Sequence, residues 1–475
     1  MRTYRYEEKL IGCDDLKSII FYGLIALIAI IVIKTIRIRM LLFLFVLLIL
    51  VHLCFTLAED IHDQMIRRVR NKGQAYFALL SSKLIEEKYR SFKLWITEIE
   101  KPSIMITDPV VLASNNQLEI LNSSGNVMNT IIEKIEQAKH HIHMEYFIIK
   151  DGKIAENFKN MLIRKLNEGI RVRIIYDGFG SFFLKTSFLN ELRDAGAEIV
   201  AFSPPLPSLF NLSFNHRNHR KIFIVDGKEG IIGGSNIGDE YFGKRTQLGK
   251  WKDTDILITG ESTLCLQAIF LRDWYLTKGV AITDPVYFPI QDITGNIPIQ
   301  IVAGGPDSPR DEIERIYISL IHAAQEQLFF VTPYMVPPEP IVKALENAVL
   351  RGVDVRIIIP ENSDNIVAEY ATKMYSKKFS QMGVRMYKHM AGFIHGKTVI
   401  IDRDVAVVGT ANFDYRGQRL DYEIVAVIYS REVTNTLITH FMEDLERSQE
   451  LKYRQTDRFI DRFGEGIIKR IEGIL

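Results

Sequence analysis

Cysteine is nearly missing from this chain. Cys13, Cys54 and Cys265 are odd in number and scattered through 475 residues. That argues against a disulfide framework or a cysteine metal cluster and suits reduced thiols. None of the three lies near the motifs described below, so a cysteine nucleophile has no support. Charge of one sign is missing too. Lys and Arg number 59 against 58 Asp and Glu, a net charge of +1. The chain therefore lacks the global basic field of duplex-binding proteins, and no nucleic-acid partner is expected. No small-x-small cleavage site follows the first long apolar run, which argues against a removed leader. What is present is 47% hydrophobic and 25% charged residues, the composition of a globular protein with ample core. The length suits two domains plus an appendage.

The appendage comes first. Ile19 to Ile33 carries no charge, and Met40 to Ala58 is interrupted only by His52 and Cys54. A spanning helix needs about 20 apolar residues, which the second run nearly meets; the first needs Lys17 and Lys34 to snorkel. The two runs are expected to form a membrane hairpin within 1–60. Its connecting loop carries Lys34, Arg37 and Arg39, while Arg2, Arg5, Lys9, Lys17 and Arg67, Arg68, Arg70, Lys72 flank it. The totals favour both termini, and hence the catalytic body, on the cytoplasmic face of the cell membrane, although the loop density argues the reverse. Residues 61–102 have helical texture, with Met65, Val69, Tyr76, Leu80 and Leu84 on one face. Their basic residues suit either anionic lipid head groups or a helix packed on the catalytic body.

From Leu118 the chain repeats itself. Short strand, helix, strand, helix closed by glycine (Gly169, Gly352), strand and helix follow in the same order twice, which divides the rest into halves 103–290 and 291–475. Helices alternating with strands imply an α/β layered sheet in each half, the two related by a pseudo-two-fold axis. Each half then reaches the same signature. Asn218-His219-Arg220-Lys221 runs into an apolar tetrad, Asp226, and Gly233-Gly234-Ser235-Asn236. His395-Gly396-Lys397 runs into another, Asp402, and Gly409-Thr410-Ala411-Asn412. Alternation puts His and Lys on one face of an extended strand, and the small-residue turn lets backbone and an amide approach a ligand closely.

One such motif means little; two that agree at His, Lys, Asp, turn and Asn imply a shared site. Apposed, they bring two imidazoles, Lys221, Lys397, Asn236 and Asn412 around one pocket. Two ammonium groups and two amides suit a phosphate diester, whose transition state spreads negative charge over its oxygens. One imidazole attacks phosphorus and the other, protonated, supplies the departing alkoxide with a proton. The lysines provide the positive charge, so no metal or other cofactor is called for. Each His needs an orienting carboxylate, for which the sequence offers Asp253 and Glu423, with Asp255 a competitor for Asp253. Asp226 and Asp402 belong to the signature and count with the catalytic set, although their place after an apolar strand also suits holding the strand–turn junction. His140, His141 and His143 read as edge or core residues of a strand. Tyr146 and Tyr334 fall at matching strand ends, where they either line the pocket or pack.

These motifs resemble the duplicated His-Lys-Asp signature of the phospholipase D superfamily, over the chain from about Ser103 onward. The resemblance implies a phospho-histidine intermediate, an acidic residue after each motif that orients a His (positions 253 and 423), and the N-terminal His219 as nucleophile, a choice that spacing alone leaves open. The local wording Gly233-Gly234-Ser235-Asn236-Ile237-Gly238-Asp239-Glu240-Tyr241 and the two-run start are similar to bacterial cardiolipin synthases. They share Gly234 where the wider superfamily more often has Ser. The implied reaction passes a phosphatidyl group from one phosphatidylglycerol to another, releasing glycerol. The alternative is a membrane-anchored phospholipase D with water as acceptor. An inert lipid-binding scaffold would not need both motifs intact.

Overall fold

The computed structural model describes residues 63–84, 113–202, 215–241, 248–290, 295–308 and 310–453, with isolated positions 24, 25, 28, 34 and 92. The chain divides into two compact units, Met1–Met65 and Ile66–Leu475. The hairpin expected within 1–60 lies almost wholly outside the described residues. Among those residues no helix is long and apolar enough to cross a membrane.

A first helix, α1 (63–83), buries Tyr76, Phe77, Leu80 and Leu84, one seam of the periodicity read from the sequence. Two of its basic residues are spent on protein carbonyls. Arg70 donates to Asp307 O at 2.8 Å and Lys72 to Leu276 O at 3.1 Å.

The first half builds a seven-stranded sheet. In chain order it holds β1 (Asn116–Leu121), α2 (Ser124–Gln137), β2 (His141–Tyr146), α3 (Lys153–Asn167), β3 (Arg171–Asp177), α4 (Thr186–Asp194) and β4 (Glu198–Phe202). Then come β5 (Ile222–Val225), β6 (Glu229–Gly233), the short β7 (Trp251–Lys252), β8 (Asp255–Gly260) and α5 (Glu261–Lys278). The strand order is β1-β8-β6-β5-β2-β3-β4, with β2, β3 and β4 parallel and the rest antiparallel.

The second half repeats the plan in an eight-stranded sheet. It holds β9 (Ile299–Gly304), α6 (Glu312–Ala323), β10 (Gln327–Val331), β11 (Met335–Val336), α7 (Glu339–Leu350), β12 (Asp354–Pro360), α8 (Ile366–Gln381) and β13 (Arg385–His389). After these come β14 (Phe393–Ile394), β15 (Thr398–Ile401), β16 (Val405–Gly409), β17 (Phe413–Asp414), β18 (Glu423–Tyr429), α9 (Arg431–Glu446) and β19 (Ser448–Glu450). The expected mixed α/β architecture is present. One apolar cluster draws from both sheets, joining Ile222, Ile224 and Ile256 to Ile400, Ala406 and Ile424 around α5. Burying such β-branched strand faces on both sides gives continuous apolar runs rather than alternation.

One expectation fails. The His-x-Lys segments are not part of their sheet strands: β5 begins at Ile222 and β15 at Thr398, one residue after each Lys. The segments instead reach across to the other half, with Asn218 bridging Tyr422 and β14 pairing β7 in parallel.

Candidate active site

Those two crossings set the geometry. His219 N donates to Tyr422 O at 2.9 Å, and Tyr422 N donates to Arg217 O at 2.8 Å. His395 N donates to Lys252 O at 2.7 Å. Each histidine is therefore stitched to the residue just before an acid of the opposite half. As a result His219 Nδ1 lies 2.7 Å from Glu423 Oε1, and His395 Nδ1 lies 2.6 Å from Asp253 Oδ2. The acid that follows one motif orients the histidine of the other. With Nδ1 engaged by the acid, Nε2 is the second nitrogen of each ring, and that of His395 lies 3.0 Å from Lys397 Nζ.

Both lysines lie beside their own histidines. Lys221 Nζ is 2.6 Å from His219 O, and Lys397 Nζ is 2.5 Å from His395 O. Aromatic walls hold the rings: Phe147 stands edge-on to His219 at 4.9 Å, and Trp251 lies 4.9 Å from His395. All six ionisable groups are buried. Burial, reinforced by the neighbouring lysine charge, lowers the pKa of His219 well below the ordinary imidazole value and also lowers that of His395. Burial brings the Lys221 ammonium down to about 7. The two carboxyls diverge. Burial raises Glu423 to about 8 despite Lys221, whereas at Asp253 the charges of Lys397 and His395 outweigh burial and hold it below the usual carboxylate range.

The turns after the motifs explain themselves here. Thr410 Oγ1 donates to Glu423 Oε2, fixing the longer acid. A Cβ on Gly234, the matching position, would fall 1.9 Å from Asp253 Oδ1, so no side chain fits above the shorter acid. Asn236 Oδ1 accepts from Ile148 N at 3.1 Å. Asn412 Oδ1 is buried with no hydrogen-bond partner. Asp255, the competitor for Asp253, is taken by the Ser235 hydroxyl at 2.5 Å.

Asp226 and Asp402 require a correction, since they do not reach the histidines. Both have positive φ, 56° and 51°, at the far ends of β5 and β15. Asp226 accepts from the amides of Lys139, His140 and His141, and Asp402 from those of Gln325, Glu326 and Gln327. Four strand residues at about 3.3 Å each separate them from the lysines, so they tie strand ends together rather than touch substrate. His141 and His143 are buried beside Gln267, and burial lowers His141 to about 4. Tyr146 is buried, and the Tyr334 hydroxyl donates to Asp364.

The sequence reading missed a buried network behind His219. Arg220 donates to Asp273, to Gly304 O at 3.0 Å and to Glu423 O at 3.1 Å. Asn218 donates to Glu145 at 2.5 Å and to Asp177 at 3.0 Å. One signal was available: the residue between His and Lys is Arg220 in one motif and Gly396 in the other. Among the described residues no group of three or more His, Cys, Asp or Glu is placed to hold a metal ion.

A family model described as cardiolipin synthase, phospholipase D-like domain, matches residues 131–274 and 317–445. Cardiolipin synthase 2 of Bacillus anthracis is 40% identical over 350 residues, which cover 73% of this chain and 68% of that relative. Cardiolipin synthase of Geobacillus sp. (strain WCH70) is 39% identical over 366 residues, 75% of this chain and 72% of that one. The crystal structure of phosphatidylserine synthase from Haemophilus influenzae Rd KW20 superposes with a TM-score of 0.56 at 16% identity. It covers 75% of this chain and 93% of its own, a likeness of fold.

Proposed function

The chain belongs to the cardiolipin synthase family of phospholipase D-like proteins, and we propose that its crossed histidine pair carries a phosphatidyl group from one phosphatidylglycerol to another, with release of glycerol. The protein is a phosphatidyltransferase. The observation that carries the mechanism is the crossing itself, which sets each imidazole against an acid of the other half and leaves the two imidazoles within electrostatic reach of each other.

His219, paired with the acid that burial keeps near neutral, is the nucleophile. Its Nε2 forms a bond to phosphorus as the bond to the glycerol oxygen breaks. His395, whose charged form the ionised Asp253 favours against burial, supplies the proton to that oxygen, so glycerol leaves neutral. The hydroxyl of a second phosphatidylglycerol then attacks the phospho-histidine, giving its proton back to His395, and cardiolipin leaves with His219 restored. Lys221 and Lys397 stand beside the histidines where the phosphoryl oxygens gather charge, and the amides of Asn236 and Asn412 complete the cradle. The burial of all these groups makes each interaction stronger than it is in water and keeps water from competing as acceptor.

The repeat order and the reciprocal bridges support a pseudo-two-fold relation between halves 103–290 and 291–475. The apolar runs within 1–60 support a membrane hairpin, and the flanking Lys and Arg totals a catalytic body on the cytoplasmic face. Product analysis tests the reaction: purified full-length protein with phosphatidylglycerol as sole lipid is expected to yield cardiolipin and free glycerol in equal amounts. Phosphatidic acid in place of cardiolipin would mean that water is the acceptor.

A further inference from the structure

We propose that the two loops at the mouth of the histidine pocket form a bilayer-inserting rim, so that the catalytic body sits with its pocket facing an anionic lipid surface. The proposal rests on the lipid reading above and names the surface through which that site meets its substrate.

The observations converge on one end of the molecule. The parallel strands β3 and β12 occupy matching places in the two halves, and the chain leaves both at the pocket end. After β3, the segment before α4 exposes Phe182 at 52% and Phe183 at 83%. After β12, the start of α8 exposes Ile366 at 84% and Tyr370 at 57%, with Val367 beside them. Single exposed apolar side chains are ordinary, but a paired set at the equivalent exits of two strands marks an interaction surface.

Both loops are tied to the site. Ser181, next to Phe182, donates its hydroxyl to Phe147 O, and the Phe147 ring stands against His219. On the other side Asp364, two residues before Ile366, accepts from Tyr334, and its charge acts on both His395 and Lys397. The rim thus flanks the two histidines from opposite halves.

The entry of α1 points the same way. Arg70 donates to Asp307 O and Ser308 O, just beyond the end of β9, whose Gly304 pairs with Glu423. Phe92 has reached Phe288, 5.6 Å between ring centroids, next to the Tyr287 that touches His141 at the start of β2. The helix therefore begins at the pocket end and the chain leads away from it. Arg67 and Arg68, near the helix start, are exposed and complement anionic head groups at that end. Apolar loops with adjacent basic residues suit a lipid surface better than a protein partner.

The test uses the full-length protein reconstituted in phosphatidylglycerol vesicles with or without bromine on the acyl chains. Read as the emission added over that of the parent's Trp95, Trp251 and Trp274, the indoles of Phe183→Trp and Ile366→Trp are expected to lose most of their intensity to brominated lipid. Leu350→Trp is expected to keep it, since Leu350 is 79% exposed but closes α7 at the opposite end of β12. Phe182→Ser with Phe183→Ser should cut the rate on bilayers about tenfold and leave the rate on monomeric short-chain phosphatidylglycerol unchanged. Equal quenching at all three tryptophans, or none at the two rim positions, would overturn the surface. So would a blue-shifted rim emission insensitive to bromine, the signature of burial against protein. Quenching is read without turnover, so failure to make cardiolipin with the rim still quenched would sink the reaction and leave the surface standing.

Discussion

The two histidine environments are built from the same motif and are chemically unlike. His219 faces a Glu that Thr410 steadies and burial pushes toward protonation, with Arg220 gripping the Glu423 carbonyl from behind. His395 faces an Asp that lysine and imidazole charge keep ionised, beneath a Gly234 that leaves no room above it, and Gly396 stands where the other motif has Arg. One methylene and one hydroxyl separate the acids' settings. Duplication supplied two half-sites, and they differ in that the ionised Asp253 favours the charged form of His395 against the burial and Lys397 charge that oppose it.

The largest effect expected is symmetric and frames the rest. His219→Ala and His395→Ala should each lower kcat by about 10⁴-fold or more, since the two act as a unit and the double variant should be scarcely worse than either. Cardiolipin formation by chromatography checks this. The acids should break the symmetry. Asp253→Asn removes the charge that supports the His395 imidazolium and should lower kcat about 10³-fold, while Glu423→Gln, which replaces a carboxyl already inclined to be neutral, should lower it about tenfold. The reverse ranking would exchange the roles of the histidines.

Gly234→Ser should displace Asp253 and lower kcat about 10²-fold, because a shift near 1 Å at a catalytic group has that scale of effect. Thr410→Gly leaves a Glu423 oxygen without its donor and should destabilise by about 1–3 kcal/mol in denaturant titrations. The smallest effect is on pH. Glu423 is raised from 4.5 to about 8 in the folded protein. Its contribution is fully present below the unfolded value and is lost as pH rises through the folded one. Glu423→Gln does not titrate, so its Tm relative to the parent should rise between pH 5 and about 8 and then level off. A flat difference would mean Glu423 is ionised throughout.

The repeat, the two motifs and the mixed α/β plan were legible because apolar strand runs, helix-ending glycines and a matched signature are local in the chain. Asp253 and Glu423 were legible as candidates for the same reason. Their crossing was not, since it arises from parallel bridges between Asn218 and Tyr422 and between β14 and β7, pairings that bring residues some 140 to 200 positions apart together. The place of Asp226 and Asp402 was legible only in part. A shared motif counted them with the catalytic set, and only their positive φ and amide partners show them closing strand ends. Arg220 drew no reading of its own from the sequence, and alternation turns it away from His219 and Lys221 to where Asp273 receives it.

The roles assigned to the two histidines are tested most directly by rapid quench of the enzyme with phosphatidylglycerol labelled at phosphorus, followed by peptide mapping in alkali, where phospho-histidine survives. Label on the peptide carrying His219, and its absence in His219→Ala but not from a defect in lipid binding, is the expected result. Label on the peptide carrying His395 would contradict it, and with it the idea that the ionised Asp253 marks the proton-holding partner.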